Sequence, residues 1–146
     1  MTNPEPAWSA ERMLELATRH ARVEAQCRLE ELMETLVAEP VYEFVVQGLA
    51  LRGGARVRRY YQQFFEDYIA RVRGGRRLGQ WGDERAVARE DRIEFESADG
   101  PEVHRIMSVL HAGGTRLLGE RIYASDLVVR RMTGRMFQEL EPAGGT

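Results

Sequence analysis

Residues 119–134 read GERIYASDLVVRRMTG. The stretch opens as a strand, with Glu120, Arg121, Ile122 and Tyr123 in succession, and breaks at Ser125-Asp126 into a helical pattern that closes on Gly134. Serine and aspartate are favoured helix N-caps because their side-chain oxygens accept from free backbone N–H groups, and glycine favours the position just past a helix end. Side chains alternate along a strand, so Glu120 and Ile122 share one face and Arg121 and Tyr123 the other. The face carrying Glu120 is either bathed in water or one wall of a pocket.

Upstream of this stretch the chain keeps the same period. ERAVAREDRIEFES (84–97) alternates, ADGP turns, EVHRIMSVLH (102–111) alternates again, AGGT turns, and RLLGERIYA (116–124) alternates a third time. Asp99-Gly100 and Gly113-Gly114 supply the hairpin glycines. The first half has helical period instead. Ser9 caps a helix with apolar residues at Ala10, Met13, Leu14, Ala17 and Ala21, and His20 lies on the edge of that stripe. A second stripe, Leu29, Leu32, Met33 and Leu36, is ended by Pro40, and VYEFVV (41–46) follows as a short strand. The clearest helix carries Val57, Tyr60, Tyr61, Phe64, Phe65, Tyr68, Ile69 and Val72 and stops at Gly74-Gly75. Helices first and a meander afterwards predict an α+β fold, with the helices on one face of a curved antiparallel sheet.

At 146 residues the chain fits one domain with a core of about 9–134 and flexible ends at 1–8 and 141–146. With 43% hydrophobic and 30% charged residues it reads as globular rather than disordered or fibrous. Cys27 is the single cysteine, which excludes an internal disulfide and suits a reducing compartment. No leader pattern or membrane-length apolar run is present, so a cytoplasmic location is expected. All 21 basic residues are arginine, but the net charge is −2, and the clusters RGGARVRR and RVRGGRR read as solvated helix ends rather than as a nucleic-acid track. His104 and His111 have no metal-ligand spacing with any partner, and no metal or cofactor is expected.

The element order, VYEF followed by LRGGARVRRYYQQFF, the segment DRIEFESADG and the strand-to-helix ending at 119–134 together resemble the nuclear transport factor 2-like superfamily, over about Ala10 to Gly134. The similarity is to its SnoaL-like members, the ketosteroid isomerases and the limonene-epoxide hydrolases. That resemblance implies a cone-shaped fold whose sheet and helices enclose a deep, mostly apolar pocket for a small apolar molecule, in a homodimer. The isomerase base falls on Phe44 and the second isomerase acid on Met107, so neither carboxyl is matched. The isomerase helix-one tyrosine falls on His20, while its aromatic partner is kept as Tyr61. Against the epoxide hydrolases, Arg92-x-Glu94 resembles the Arg-x-Asp pair and Tyr42 the tyrosine that positions water. Phe44 replaces their asparagine and Ile122 their lone aspartate, for which Glu120 could substitute. Asp126 is the carboxylate nearest to the cyclase acid at the end of the last strand.

Two parities follow for the strand within 84–97. Plain alternation buries Ile93 and Phe95 and gives Arg92 and Glu94 to water. The resemblance implies the reverse, with Arg92 and Glu94 facing the pocket beside Arg105, Met107, Glu120 and Ile122. In that arrangement Glu94 and Glu120 are the acid and base, Arg92 orients them, and Tyr42, His20 and Tyr61 hold a carbonyl or water. The reaction classes implied are cyclisation, isomerisation, hydration and epoxide opening. The alternative is a non-catalytic ligand-binding or dimeric assembly module of the same fold.

Overall fold

The computed structural model describes residues 3–144. Helix α1 spans Ala10–Ala25, with the Ser9 hydroxyl accepting from the Arg12 N–H, and α2 spans Leu29–Glu34. Strand β1 (Leu36–Phe44) begins at Leu36 and carries Pro40 within it. The helical stripe therefore ends six residues before the proline expected to end it. Strand β2 (Leu49–Arg52) precedes α3 (Gly54–Gln63), which widens into one π-helical turn at Phe64–Tyr68 and tightens into a 3₁₀ turn at Ile69–Arg71.

Strands β3 (Val72–Gly82), β4 (Ala86–Ser97), β5 (Gly100–Gly113) and β6 (Arg116–Tyr123) then form a meander. Helix α4 (Asp126–Thr133) is capped by the Ser125 hydroxyl, which accepts from the Val128 N–H, and Gly134 ends it with φ of 49°. A 3₁₀ segment at Gly134–Glu139 leads to β7 (Glu141–Pro142).

These strands make one curved seven-stranded sheet in the order β3-β4-β5-β6-β1-β2-β7. Every pairing is antiparallel except β1 with β6, which is parallel and sets Tyr42 beside Glu120. Register shifts interrupt the β1–β6, β3–β4 and β5–β6 ladders. An extra residue in one strand bends it and increases its twist, and so curls the sheet around the helices. Strand β3 is the element the sequence hid. Its Gly74-Gly75 and arginines read as a helix stop, but the segment is a sheet edge with only one neighbour, so most of its residues are exposed and no alternation shows.

The chain ends are tied in at two points. Trp8 Nε1 donates to the Glu84 carbonyl at 2.6 Å, and Glu141-Pro142 pair with Leu49-Ala50. Residues 1–2 and 145–146, at the tips of the expected flexible ends, lie outside the described residues. Among the described residues no helix is long and apolar enough to cross a membrane.

The core lies between the concave side of the sheet and the helices, and an aromatic column dominates it. Phe64 stacks on Tyr68 with centroids 5.0 Å apart, Tyr68 on Phe95 at 4.8 Å, and Phe95 on His104 at 4.7 Å. The Tyr68 hydroxyl lies 2.8 Å from His104 Nδ1, and His104 Nε2 lies 2.9 Å from Glu102. Arg131 of α4 closes this chain with two hydrogen bonds to Glu102, at 3.1 and 2.7 Å. Those bonds, Arg131 first and His104 second, hold the Glu102 carboxyl down at about 2.

Gly119 interrupts the alternation of β6. Leu117, Gly119, Glu120 and Ile122 are all buried, so the inward parity shifts by one residue between Gly119 and Glu120. Gly119 has φ of 145°, and a Cβ on it would lie 1.8 Å from the Val41 carbonyl oxygen. At the turn residue Gly114 (φ 80°) an added Cβ meets nothing within 4 Å.

Two outcomes follow. Gly114→Ala carries only left-handed strain, about 1–2 kcal/mol, and Gly119→Ala adds a backbone clash, so its loss in denaturant-unfolding free energy should be at least about twice as large. Because the folded-state pKa of Glu102 is depressed, its contribution to stability is full above the ordinary carboxylate range and is lost as pH falls from about 4.5 towards about 2. Thermal unfolding across that window should lose stability in the wild type more steeply than in Arg131→Gln, and parallel profiles would contradict the assignment.

Candidate functional site

Four elements converge on one polar cluster inside the core. His20 and Glu24 stand one helical turn apart on the sheet-facing side of α1, where positions i and i+4 are neighbours. Tyr61 comes from α3, Tyr42 from β1 and Glu120 from β6. His20, Tyr42 and Tyr61 are essentially inaccessible, Glu120 is 8% exposed and the Glu24 side chain 28%. The Tyr42 and Tyr61 hydroxyls lie 2.7 Å apart. Tyr61 Oη is 3.2 Å from Glu120 Oε2, 3.3 Å from Glu24 Oε2 and 3.4 Å from His20 Nε2. On the far side of the ring, His20 Nδ1 lies 2.7 Å from Thr35 Oγ1, and the Thr35 hydroxyl donates to the Leu32 carbonyl at 2.6 Å. The threonine proton is thereby committed, so Nδ1–H donates to Thr35 and Nε2 faces the carboxylates.

Burial alone would push the His20 pKa down. Hydrogen bonds and charges from Glu120 and Glu24 outweigh it and raise the ring to about 9. The Glu24 carboxyl is pushed up, chiefly by its loss of water, although the His20 hydrogen bond pulls the other way. Burial lifts the Tyr42 and Tyr61 phenols far above their ordinary value, so both remain proton donors.

The cluster opens onto a hollow of about 90 Å³. Its polar lining consists of Glu24, Asp91, Ser108, Glu120 and the tyrosines, and the remainder is aromatic and aliphatic, with Phe64, Ile93 and Ile122 among the walls. Asp91 is a quarter exposed, and its Oδ1 lies 3.3 Å from Arg77 Nε. Arg89 approaches Asp91 at 3.9 Å. Burial raises the Asp91 pKa, and the charge and hydrogen bond of Arg77 offset part of that rise. A larger open depression of about 490 Å³, bordered by Glu39, Glu43, Arg85, His111 and Arg121, also reaches Glu120. It lacks the concentration of buried carboxylates.

Of the residues expected at the site, Glu120, Tyr61 and Ile122 line the hollow, and His20 and Tyr42 stand against it through the cluster. Phe44 is wholly buried and packs edge-on against Tyr60. Arg92, Glu94, Arg105 and Met107 need correction. Strand β4 keeps plain alternation, with Val87, Asp91, Ile93 and Phe95 inward, so Arg92 and Glu94 project from the opposite face and pair with each other at 3.0 Å. The Glu94 side chain is 55% exposed. Arg105 and Met107 share that outer face, and Arg105 pairs with Glu90. Asp126 is an exposed first-turn residue of α4 that accepts from Gln47 Nε2 at 2.9 Å and does not line the hollow.

Glu24 and Asp91 were missed. Glu24 lies four residues after His20, the helical spacing that places two side chains together. Asp91 completes an inward Arg89-x-Asp91 pair, three residues ahead of the outward Arg92-x-Glu94 and on the strand face that alternation buries.

Neither a protein-family model nor a curated protein matches the sequence. Solved structures do. A nuclear transport factor 2-like protein of unknown function from Cytophaga hutchinsonii matches with a TM-score of 0.65 at 9% identity, over 77% of this chain and 99% of its own. A candidate ketosteroid isomerase from Kribbella flavida matches at 0.65 with 14% identity, over 80% of each chain. An LEH-like epoxide hydrolase from M. tuberculosis matches at 0.65 with 16% identity, over 86% of this chain and 92% of its own. At these identities the likeness concerns the fold and carries no activity. The helices packed on a curved meander, the parallel β1–β6 pair and these three matches together give this chain the nuclear transport factor 2-like fold.

Proposed function

We propose that the chain performs acid/base chemistry, of the hydration, isomerisation or epoxide-opening kind, on a small apolar molecule held in the interior hollow. One observation carries this reading: three carboxylates, Glu24, Asp91 and Glu120, line a single hollow whose other walls are aromatic and aliphatic. Carboxyls in unequal surroundings divide into acid and base. Asp91, raised by burial, is the proton donor, with Arg89 and Arg77 beside it. Glu120, hydrogen-bonded by Tyr61, is the proton acceptor. The Tyr42–Tyr61 hydroxyl pair positions a water or polarises an oxygen of the substrate. These roles replace those expected for Glu94 and Arg92.

The hollow also bounds the substrate. At about 90 Å³ it is smaller than the cavity of roughly 150 Å³ that takes up benzene, so the molecule has fewer atoms than benzene unless the walls part. The small volume equally favours a second reading, in which the fold is a non-catalytic ligand-binding or dimeric assembly module. Val103, Leu118 and Tyr123, exposed on the outer face of the sheet, support a second copy of the chain covering that face.

The acid/base reading is tested with 1,2-epoxybutane and with small enolisable ketones, following loss of substrate by gas chromatography. Turnover by the wild type should fall about 100-fold or more in both Asp91→Asn and Glu120→Gln, the usual range for loss of a general acid or base. Circular dichroism on both variants confirms that the fold is kept. Absence of turnover in the wild type, together with a dimer in sedimentation, would favour the assembly module.

A further inference from the structure

The contacts within the His20–Glu24–Glu120 cluster are longer than short charge-assisted hydrogen bonds. His20 Nε2 lies 3.4 Å from Glu24 Oε2 and 3.6 Å from Glu120 Oε2, whereas a charge-assisted N–H···O bond spans about 2.7–2.9 Å. Tyr61 Oη is 3.4, 3.3 and 3.2 Å from those same three atoms. The two carboxylate oxygens and Nε2 all lie within 4.8 Å of one another. Five of the six edges of this four-atom figure are thus 3.2–3.6 Å. A tetrahedral ion with nitrogen and oxygen ligands at about 2.0–2.1 Å sets those ligands about 3.3–3.4 Å apart.

Two further observations are independent of that spacing. The His20 ring is 1% exposed and is oriented from behind by Thr35, which takes the Nδ1–H and leaves Nε2 aimed into the cluster without a short partner. Metal-bound histidines are held in the same way, with the second ring N–H donated to a fixed acceptor. The charges are also unbalanced. Among the described residues no arginine forms an ion pair with Glu24 or Glu120, whose only such partner is His20. A bound ion displaces the Nε2 proton that the two carboxylates otherwise hold on the ring, and two carboxylates with the resulting neutral imidazole carry two negative charges, which one divalent cation cancels.

We propose that His20 Nε2, Glu24 Oε2 and Glu120 Oε2 form a binding site for a divalent transition-metal ion of the zinc type, with the Tyr61 hydroxyl at the fourth corner. This reverses the expectation, drawn from His104 and His111, that the chain holds no metal. One nitrogen with oxygen donors in a tetrahedral frame suits zinc better than magnesium, which keeps an octahedral shell of oxygens. Ion binding does not depend on the acid/base reading. An ion that takes Glu120 as a ligand withdraws it as proton acceptor, so the two readings are tested separately.

The test uses the full chain, treated with chelator, dialysed and titrated calorimetrically with Zn²⁺. Binding of one ion per chain is expected, weakened about 100-fold or more in Glu24→Gln and unchanged in His111→Gln, which lies outside the cluster. Should Glu24→Gln fail to fold, Co²⁺ bound to the wild type decides: the intense visible bands of a four-coordinate ion support the site. No stoichiometric binding by the wild type, or full affinity in a folded Glu24→Gln, overturns it. A protein that binds the ion yet turns over neither epoxide nor ketone loses only the acid/base reading. One with chelator-insensitive turnover and no bound ion loses only this one.

Discussion

The burial of Glu120 is the constraint on which the site depends. A carboxylate removed from water must find hydrogen bonds or opposite charge, or else take up a proton. Glu120 is turned inward because β6 carries an irregularity at Gly119, where the backbone passes so close to the Val41 carbonyl that no side chain fits. The parallel register with β1 then puts Tyr42 beside it, and Tyr42 reaches Tyr61. A local backbone feature thus decides which chemistry stands in the interior.

The surroundings of Glu120 also explain why the cluster draws on so many elements. A single pair would leave lone pairs of a buried carboxylate unanswered, and a half-satisfied polar network costs more than an apolar core. Helix α1 contributes His20 and Glu24, α3 contributes Tyr61, and the turn after α2 contributes Thr35, which aligns the ring. The second buried network, from Tyr68 through His104 and Glu102 to Arg131, follows the opposite logic. It ends on an arginine that matches its carboxylate, and only its Tyr68 reaches the hollow. Its physical role is to fasten α4 to β5. Two histidine–carboxylate groups in one small domain therefore differ in kind: one is closed by an arginine and the other is left electrically open.

Much of the fold was legible in the sequence because its elements obey simple periods. The α1 stripe, the α3 aromatics, the glycine turns at 100 and 114, and the helix from Ser125 to Gly134 all stand where periodicity and capping predict them. Strand β3 was not legible, since an exposed edge strand shows no alternation, and the start of β1 was hidden under a stripe that continued the helical spacing into Leu36. The site was legible only in part. His20, Tyr42, Tyr61 and Glu120 come together, but the parity of β4 followed burial of Ile93 and Phe95 rather than the resemblance, which placed Arg92 and Glu94 inside. Glu24 was signalled only by its spacing from His20 and Asp91 only by the buried parity of β4, and neither local cue shows that both reach the hollow beside Glu120, which tertiary packing decides.

Thiol accessibility reports which way β4 and β6 turn their side chains. In a Cys27→Ser background, Glu94→Cys and Glu120→Cys are reacted with a water-soluble thiol reagent under native conditions. The cysteine at position 94 should react as fast as a free thiol and the one at position 120 at least about 100-fold more slowly, as expected where labelling must await local opening. Equal rates at the two positions, or protection at 94 with ready labelling at 120, would contradict that orientation.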